Sequence, residues 1–479
     1  GEPRPESGIG VPGGRAAEAD SPTALARDSA RRRDPAVPWT PIAHSRSASG
    51  APAMKTEHRL SLVAGFALLV AAPAAAQGKV WVVDDSGGPG VAFLSVQAAV
   101  DAAAEGDTVL VKDGFYDETV TISGKSLAVI GEAGASVQVQ RSMHVLGLGS
   151  SQWSLVRGID APMTGTVVFG EALRVGGNTG PFWVEDGSFD GNHNFGGAAS
   201  GVLVSGAAAA TIVRCQLRGG TGIASKIGTS KQGGPGLWAI STSAHVYEST
   251  LLGEDGSQTG PFFFGLPAGG GSGATIDGSF LFTSGSDLIG GQGADGLTSG
   301  PSCIGGGLGG NGLTVYGASS QALLLDTSLQ PGAGGLGSGA CSPGLPGQPT
   351  FLFAGSASTL PGSARALAVD SPVREGQPVS AVATGLPGEL VFLGLASTQS
   401  LPLLVPPWNG ALHLGPGISV HFMGIVPPSG TLALGATAPA LAPGVESAIG
   451  YLQPGFVSPT TGAITLGAPS ALVVLDSAF

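Results

Sequence analysis

Four charged residues recur at matching places in successive segments of the chain. Asp186, Arg214, Glu248 and Asp326 each stand just before a small residue, in VEDGSFDG (184–191), VRCQLRGG (213–220), VYESTLLG (246–253) and LLDTSLQPG (324–332). If those segments stack, the arginine has acids on both sides. One reading is a carbohydrate-facing groove in which paired carboxylates serve as general acid and nucleophile. The other is an outward ladder of opposite charges, each exposed pair worth at most about 1 kcal/mol. Arg218 and Gln216 share a face with Arg214, where a lyase would use an arginine as base. A second motif, Gly290-Gly291-Gln292-Gly293-Ala294-Asp295-Gly296-Leu297, matches the GGxGxDxΦ nonapeptide of calcium-binding β-rolls, and Gly285-Ser286-Asp287-Leu288-Ile289 repeats its core. Asp287 and Asp295 are therefore the candidate ligands for calcium, a hard cation that takes carboxylate and carbonyl oxygens. The motif occurs once, and its two cores are eight residues apart where β-rolls use nine.

The cysteines and one tryptophan complete the set. Cys303 and Cys341 lie in Gly/Pro-rich loops and form the candidate disulfide. Cys215 alternates with Val213 and Leu217 and reads as a small core residue. Trp408, between Pro407 and Asn409, is either a sugar-stacking platform or a buried sandwich residue.

A repeating architecture has to position these groups. The segments GEALRVGG, ASGVLVSG, GPGLWAIS, GSGATIDG and GNGLTVYG place Ala172, Gly201, Gly236, Gly273 and Gly312 at corresponding points, 29, 35, 37 and 39 residues apart. A second strand set drifts with them, anchored by Phe189, Leu217, Leu251, Leu288 and Leu329. One supersecondary unit is repeated at least five times. A single unit cannot cover its apolar face, but coils stacked about 4.8 Å apart bury a continuous core. The extra Gly-rich length in each repeat then projects as loops from the corners.

The open end of such a solenoid needs a cap. Ser95 can N-cap a helix whose Val96, Ala99, Val100 and Ala103 form one apolar stripe ending at Gly106. Strands follow at 108–111, 119–122 and 126–130. This stretch (93–134) resembles the first coil of right-handed parallel β-helix proteins of the pectin-lyase-like superfamily. It is similar to the opening of pectin methylesterases, through Ser95-Val96-Gln97-Ala98-Ala99-Val100-Asp101-Ala102 and Gly114-Phe115-Tyr116. The resemblance implies an all-β chain built as a right-handed parallel β-helix. It does not carry the esterase chemistry, because the QDTL-like, DFIFG-like and LGRPW-like words that supply the two aspartates and the arginine are absent.

Composition agrees. With 83 Gly, 35 Pro and 11% charged residues in 479, the chain is neither a coiled coil nor a helical bundle. Its mean hydropathy of +0.29 argues against wholesale disorder, and glycines that keep no three-residue period exclude collagen. Residues 1–53 read as a disordered upstream extension. Residues 54–76, with Lys55 and Arg59 before an apolar run ending Ala74-x-Ala76, read as a secretory signal peptide. Residues 77–479 carry 12 basic and 26 acidic side chains, a net of −14, which does not suit nucleic acid. Residues 77–356 are assigned to the solenoid. Residues 357–479, with closely spaced short strands, are assigned to a small C-terminal β-sandwich. The expected function is a secreted or cell-surface protein that binds extracellular polysaccharide. A polysaccharide-active lyase, esterase or hydrolase and a structural envelope protein stand as alternatives.

Overall fold

The computed structural model describes residues 78–479 apart from 164–169, 195–196, 222–231, 257–266, 297, 300–301 and 304. The expected extension and signal peptide lie outside the described residues. From Val80 to Leu360 the chain advances in coils of three short strands. Equivalent strands of successive coils pair in parallel, giving three sheets. Sheet I has ten strands, from Val80–Val83 to Ser356–Leu360. Sheet II has eight, from Thr119–Ser123 to Thr350–Leu352, and sheet III has eight, from Gly114–Tyr116 to Ser328–Gln330. This is a parallel β-helix.

The register follows the repeat. Leu173, Val202, Leu237, Ala274 and Leu313 form one inward column of sheet II. Phe189, Leu217, Leu251, Leu288 and Leu329 form one column of sheet III. All but Leu329 are buried in a single core. Sheet I is the strand set that alternation does not reveal, because its strands are buried on both faces, as in Pro181–Glu185 and Ala209–Val213. A strand covered on two sides loses the period of two.

The recurring charged residue marks the bend from sheet I to sheet III. Asp186, Arg214, Glu248 and Asp326 have φ of 56°, 50°, 48° and 49°, and Gly158 and Gly285 hold the same place in other coils. The left-handed conformation costs an ordinary residue roughly 1–2 kcal/mol. The small residue that follows turns inward. Ser249 Oγ accepts the Cys215 N–H at 3.0 Å, and Ser286 Oγ accepts the Ser249 N–H at 3.2 Å. Thus Cys215 is buried, but Val213 faces the other way across the bend.

The Gly-rich excursions between sheets III and II are also ordered. Their outgoing arms stack in parallel every third residue: Gly290, Gly293 and Gly296 donate to the carbonyls of Gln330, Ala333 and Leu336. Their returning arms do the same, with Gly306, Gly309 and Gly312 donating to Ser342, Leu345 and Gln348. The two layers are cross-linked through Gly291 to Gly271, Gly310 to Gly291 and Gly332 to Gly310. A period of three is that of the polyproline II helix, which has no internal hydrogen bonds and so donates sideways. The layers approach so closely that a Cβ on Gly310 would lie 1.9 Å from the Gly271 carbonyl oxygen. The last returning arm places Pro343, Pro346 and Pro349 where earlier arms place the donors Gly306, Gly309 and Gly312. Proline has no N–H, so the slab stops there.

At the other end the capping helix α1 spans Val96–Ala102, shorter than expected, with Ala103 as its C-cap. Ser95 Oγ accepts the Ala98 N–H at 3.2 Å, and the Glu118 carboxylate accepts from Ser95 Oγ, Val96 N and Gln97 N. Val96, Ala99 and Val100 close the core.

The C-terminal part is a sandwich of a three-stranded and a six-stranded sheet. The former runs through Ala366–Val369, Pro378–Thr384 and Thr431–Thr437, and the latter contains Leu390–Ala396, Ser447–Val457 and Ser470–Leu475. Leu367, Val391, Leu452 and Phe456 lie between them. The six-stranded sheet has a second buried face, which with the strand Ala411–Leu414 of a separate two-stranded sheet packs on the outside of sheet I through Trp183, Tyr247, Phe282, Leu414, Tyr451 and Val473. The solenoid strands run on to Leu360, four residues past the expected boundary.

Candidate functional site

The first question is where the bend residues point. Arg157 and Glu185, on the last outward positions of two adjacent sheet I strands, join Asp186 and Arg214 in one ion network. Their side chains are 6%, 0%, 33% and 19% exposed. Arg157 lies 3.1 Å from Glu185 and 2.8 Å from Asp186, and Arg214 Nε donates to Asp186 Oδ1 at 2.8 Å. Arg214 also contacts Glu185. The network then crosses to the sandwich. Arg157 Nη2 donates to the Val369 carbonyl at 2.8 Å and Arg214 Nη1 to that of Leu367 at 2.9 Å. Glu185 accepts from Trp183 Nε1 at 3.1 Å, from Ala471 N at 2.9 Å and from Ser470 Oγ. The charges are therefore not a solvent-facing ladder; they bolt two layers together. Arg157 and Glu185 escaped the sequence reading because their strands of sheet I, Ser154–Arg157 and Pro181–Glu185, did.

Next to this network lies a buried aromatic–histidine cluster. His413, from the sandwich, is wholly buried between Thr211 Oγ1 at 3.1 Å and Tyr247 OH at 2.7 Å. Burial holds its pKa well below the ordinary imidazole range, and burial alone lowers that of His245 to about 3. Both are neutral packing groups.

Glu248 stands beside Arg214 at 4.0 Å, with its pKa raised by burial. Asp326 accepts the Ala364 N–H at 2.9 Å and lines an open depression with Asp287, Ser328 and Thr359. Asp287 projects outward from the sheet III strand Asp287–Ile289. Asp295 lies farther out in the slab, where it accepts the Leu336 N–H at 2.7 Å. The eight steps of chain from one to the other span about 25 Å when extended, so the two carboxylates do not form one ligand set. Among the described residues no group of three His, Cys, Asp or Glu side chains is disposed to hold a metal. Cys341 is disulfide-bonded and Cys215 is a free, buried thiol with its pKa pushed up to about 12 by burial. The side chain of Cys303 lies outside the described residues. Trp408 is 37% exposed on a turn, its N–H donating to Val405 O at 2.7 Å, rather than buried in the sandwich.

The remaining sequence candidate, Arg218, belongs to a different surface. Sheet III carries two outward columns that the sandwich leaves open. One runs Phe115, Gln138, Asp160, Ser188, Gln216, Thr250, Asp287, Ser328 in register. The other contains Asp190, Arg218, Leu252, Ile289 and Gln330. Gln216 and Arg218 are exposed and Phe115 is 65% exposed at the capped end. Eight strands make a track of about 34 Å. Arg218 pairs with Glu254 at 2.6 Å beside Asp190. Asp160 accepts the Ser188 N–H at 2.9 Å. Partial burial raises the pKa of Asp160, Asp190 and Glu254. Asp160 is paired with Ser188, two residues before Asp190, so the two aspartates are diagonal neighbours with Cα atoms roughly 8 Å apart. Side-chain amides, hydroxyls and carboxylates at regular spacing suit the hydroxyl groups of an extended sugar chain.

No family model matches the chain, and no curated protein matches it. Among solved structures, the crystal structure of Escherichia coli YbhC is similar at 14% identity with a TM-score of 0.22, covering 58% of this chain and 80% of that one. Among the described residues no helix is long and apolar enough to cross a membrane.

Proposed function

We propose that this is an exported β-helix protein, of the pectin-lyase-like kind by architecture, that binds an extended polysaccharide along the outer face of sheet III. The observation that carries this reading is a contrast between faces. Sheet I is apolar outside and sealed by the sandwich, whereas the polar columns of sheet III are open and end on the exposed ring of Phe115. A ring on a rigid strand is a stacking platform for the apolar face of a sugar. Affinity electrophoresis and calorimetry of the full chain against a panel of soluble polysaccharides test it. Phe115→Ala lowers the affinity about 3- to 10-fold, the scale of one stacking contact. Binding unchanged by Phe115→Ala and by Gln216→Ala together contradicts the placement.

One observation favours a hydrolytic second reading. Asp160 and Asp190 both hold their protons above the ordinary carboxylate range and lie on one outer face as diagonal neighbours with Cα atoms roughly 8 Å apart, a placement from which two carboxyl groups can flank one glycosidic bond. Release of reducing ends from any polysaccharide in the panel, abolished by Asp160→Asn or Asp190→Asn, selects this reading. Binding without release retains the first.

A further inference from the structure

We infer that the glycan held on sheet III is uncharged, neither a polyuronate nor a sulfated chain; this rests on the reading just proposed and narrows it. A polyanion bound along a solenoid needs cations at intervals along its path, each pairing with a carboxylate or sulfate of the sugar. Among the described residues the cations are engaged within the molecule or stand off the track. Arg141, Arg157, Arg214, Arg218, Arg365 and Arg374 each form an ion pair with a carboxylate of the same molecule. Lys125 donates to the carbonyls of Val100 and Ala103 beneath the capping helix, Lys79 lies over the Trp81 ring at 4.8 Å, and Lys112, at the bend before Gly114–Tyr116 and outside both columns, acts electrostatically on Asp84. Arg174 projects from the strand Leu173–Gly176 of sheet II, a different face. Lys226 and Lys231 lie outside the described residues.

On the track itself the balance is of the other sign. Asp160, Asp190 and Asp287 stand in its two columns, Glu254, Asp255 and Asp295 lie along the outgoing arms that continue it, and among the described residues of columns and arms Arg218 is the cation. Arg218 already holds Glu254. Asp255 and Asp295 each accept a backbone N–H of the next coil. A uronate or sulfate laid here meets like charge over several coils, and no free cation in the columns offsets it. What the columns do offer is neutral: the side chains of Gln138, Ser188, Gln216, Thr250 and Ser328, with Phe115 at the end. These donate to and accept from hydroxyl groups without regard to charge.

The test is affinity electrophoresis of the full chain in gels containing a neutral mixed-linkage glucan, dextran, polygalacturonate, or chitosan as the polycation, at about 10 mM salt, where attraction between opposite charges is screened least. The expected result is retardation by at least one neutral polymer, with polygalacturonate at least about 10-fold weaker, and neutral affinity changed less than about 2-fold on raising salt to about 300 mM. Polygalacturonate binding as tightly as the best neutral polymer overturns the inference and leaves the polysaccharide reading standing, as does a preference for chitosan that salt abolishes. Retardation by none of the four overturns both.

Discussion

Glu185, on the fifth strand of sheet I, accepts the backbone N–H of Ala471 in the sandwich at 2.9 Å, across 286 residues of sequence. The same carboxylate balances Arg157 and Arg214. It is thus one of the acceptors at which the two domains meet. Breaking a buried ion network by removing one partner costs about 3–5 kcal/mol, because the other charge is left without compensation. Glu185→Ala is expected to lose that much, read by urea denaturation. A loss below about 1 kcal/mol contradicts the assignment.

The histidine cluster sets a pH response. His413 and His245 are neutral when folded, with pKa values held down by burial, while in the unfolded chain they take a proton near pH 6.5. The unfolded state therefore binds more protons below that pH. Their contribution is fully present above about pH 6.5 and lost as pH falls toward the folded value of about 3 for His245. Asp160, Asp190, Glu248 and Glu254, whose folded pKa values are raised, act in the opposite sense and weaken the fold as pH rises above about 4. The histidine part is isolated by comparison: the Tm of the native chain falls more between about pH 7 and 4.5 than that of His413→Gln. Independently, the His413 ring resonances do not titrate over that range. Parallel Tm curves together with a titrating His413 refute the account.

Close approach makes the slab glycines irreplaceable. Gly310→Ala puts a methyl 1.9 Å from the Gly271 carbonyl oxygen, and overpacking against backbone costs about 1–3 kcal/mol. Gly435, in the strand Thr431–Thr437, has open space where a Cβ would go, so Gly435→Ala stays within about 0.5 kcal/mol. Equal thermal shifts for the two substitutions contradict the slab.

Prolines at 343, 346 and 349 end the sideways ladder. Replacing all three by alanine restores three N–H groups in line with Gly306, Gly309 and Gly312 one coil earlier. An edge with donors is a template for another chain. Sedimentation velocity is expected to show concentration-dependent self-association of the triple variant beyond that of the native chain; identical behaviour contradicts a closing role.

Much of the fold was legible because an inward column is a one-dimensional signal. Phe189, Leu217, Leu251, Leu288 and Leu329 recur in sequence as they stack in space. Sheet I was legible only in its early strands at 108–111 and 126–130; farther along it was not, since Tyr247 and Val246 are both buried, one toward the sandwich and one toward the core. That omission hid Arg157 and Glu185. It also made Arg214 look outward, because a left-handed bend aims a side chain where simple alternation does not. The slab was missed for a different reason: its period of three is local to each arm and vanishes in an average over 83 glycines. Of the candidate site, Arg218 was named from sequence. Asp160 and Asp190 were not, because only register across coils brings them together.

The central claim is that sheet III is the working face and sheet I a structural one. Hydrogen–deuterium exchange of the full chain, with and without the tightest-binding polysaccharide, tests it most directly. The account predicts new protection in peptides covering 114–116, 160–161, 188–190, 216–218, 250–252 and 287–289. Protection confined to the sandwich, or to sheet II around Trp238, would contradict it.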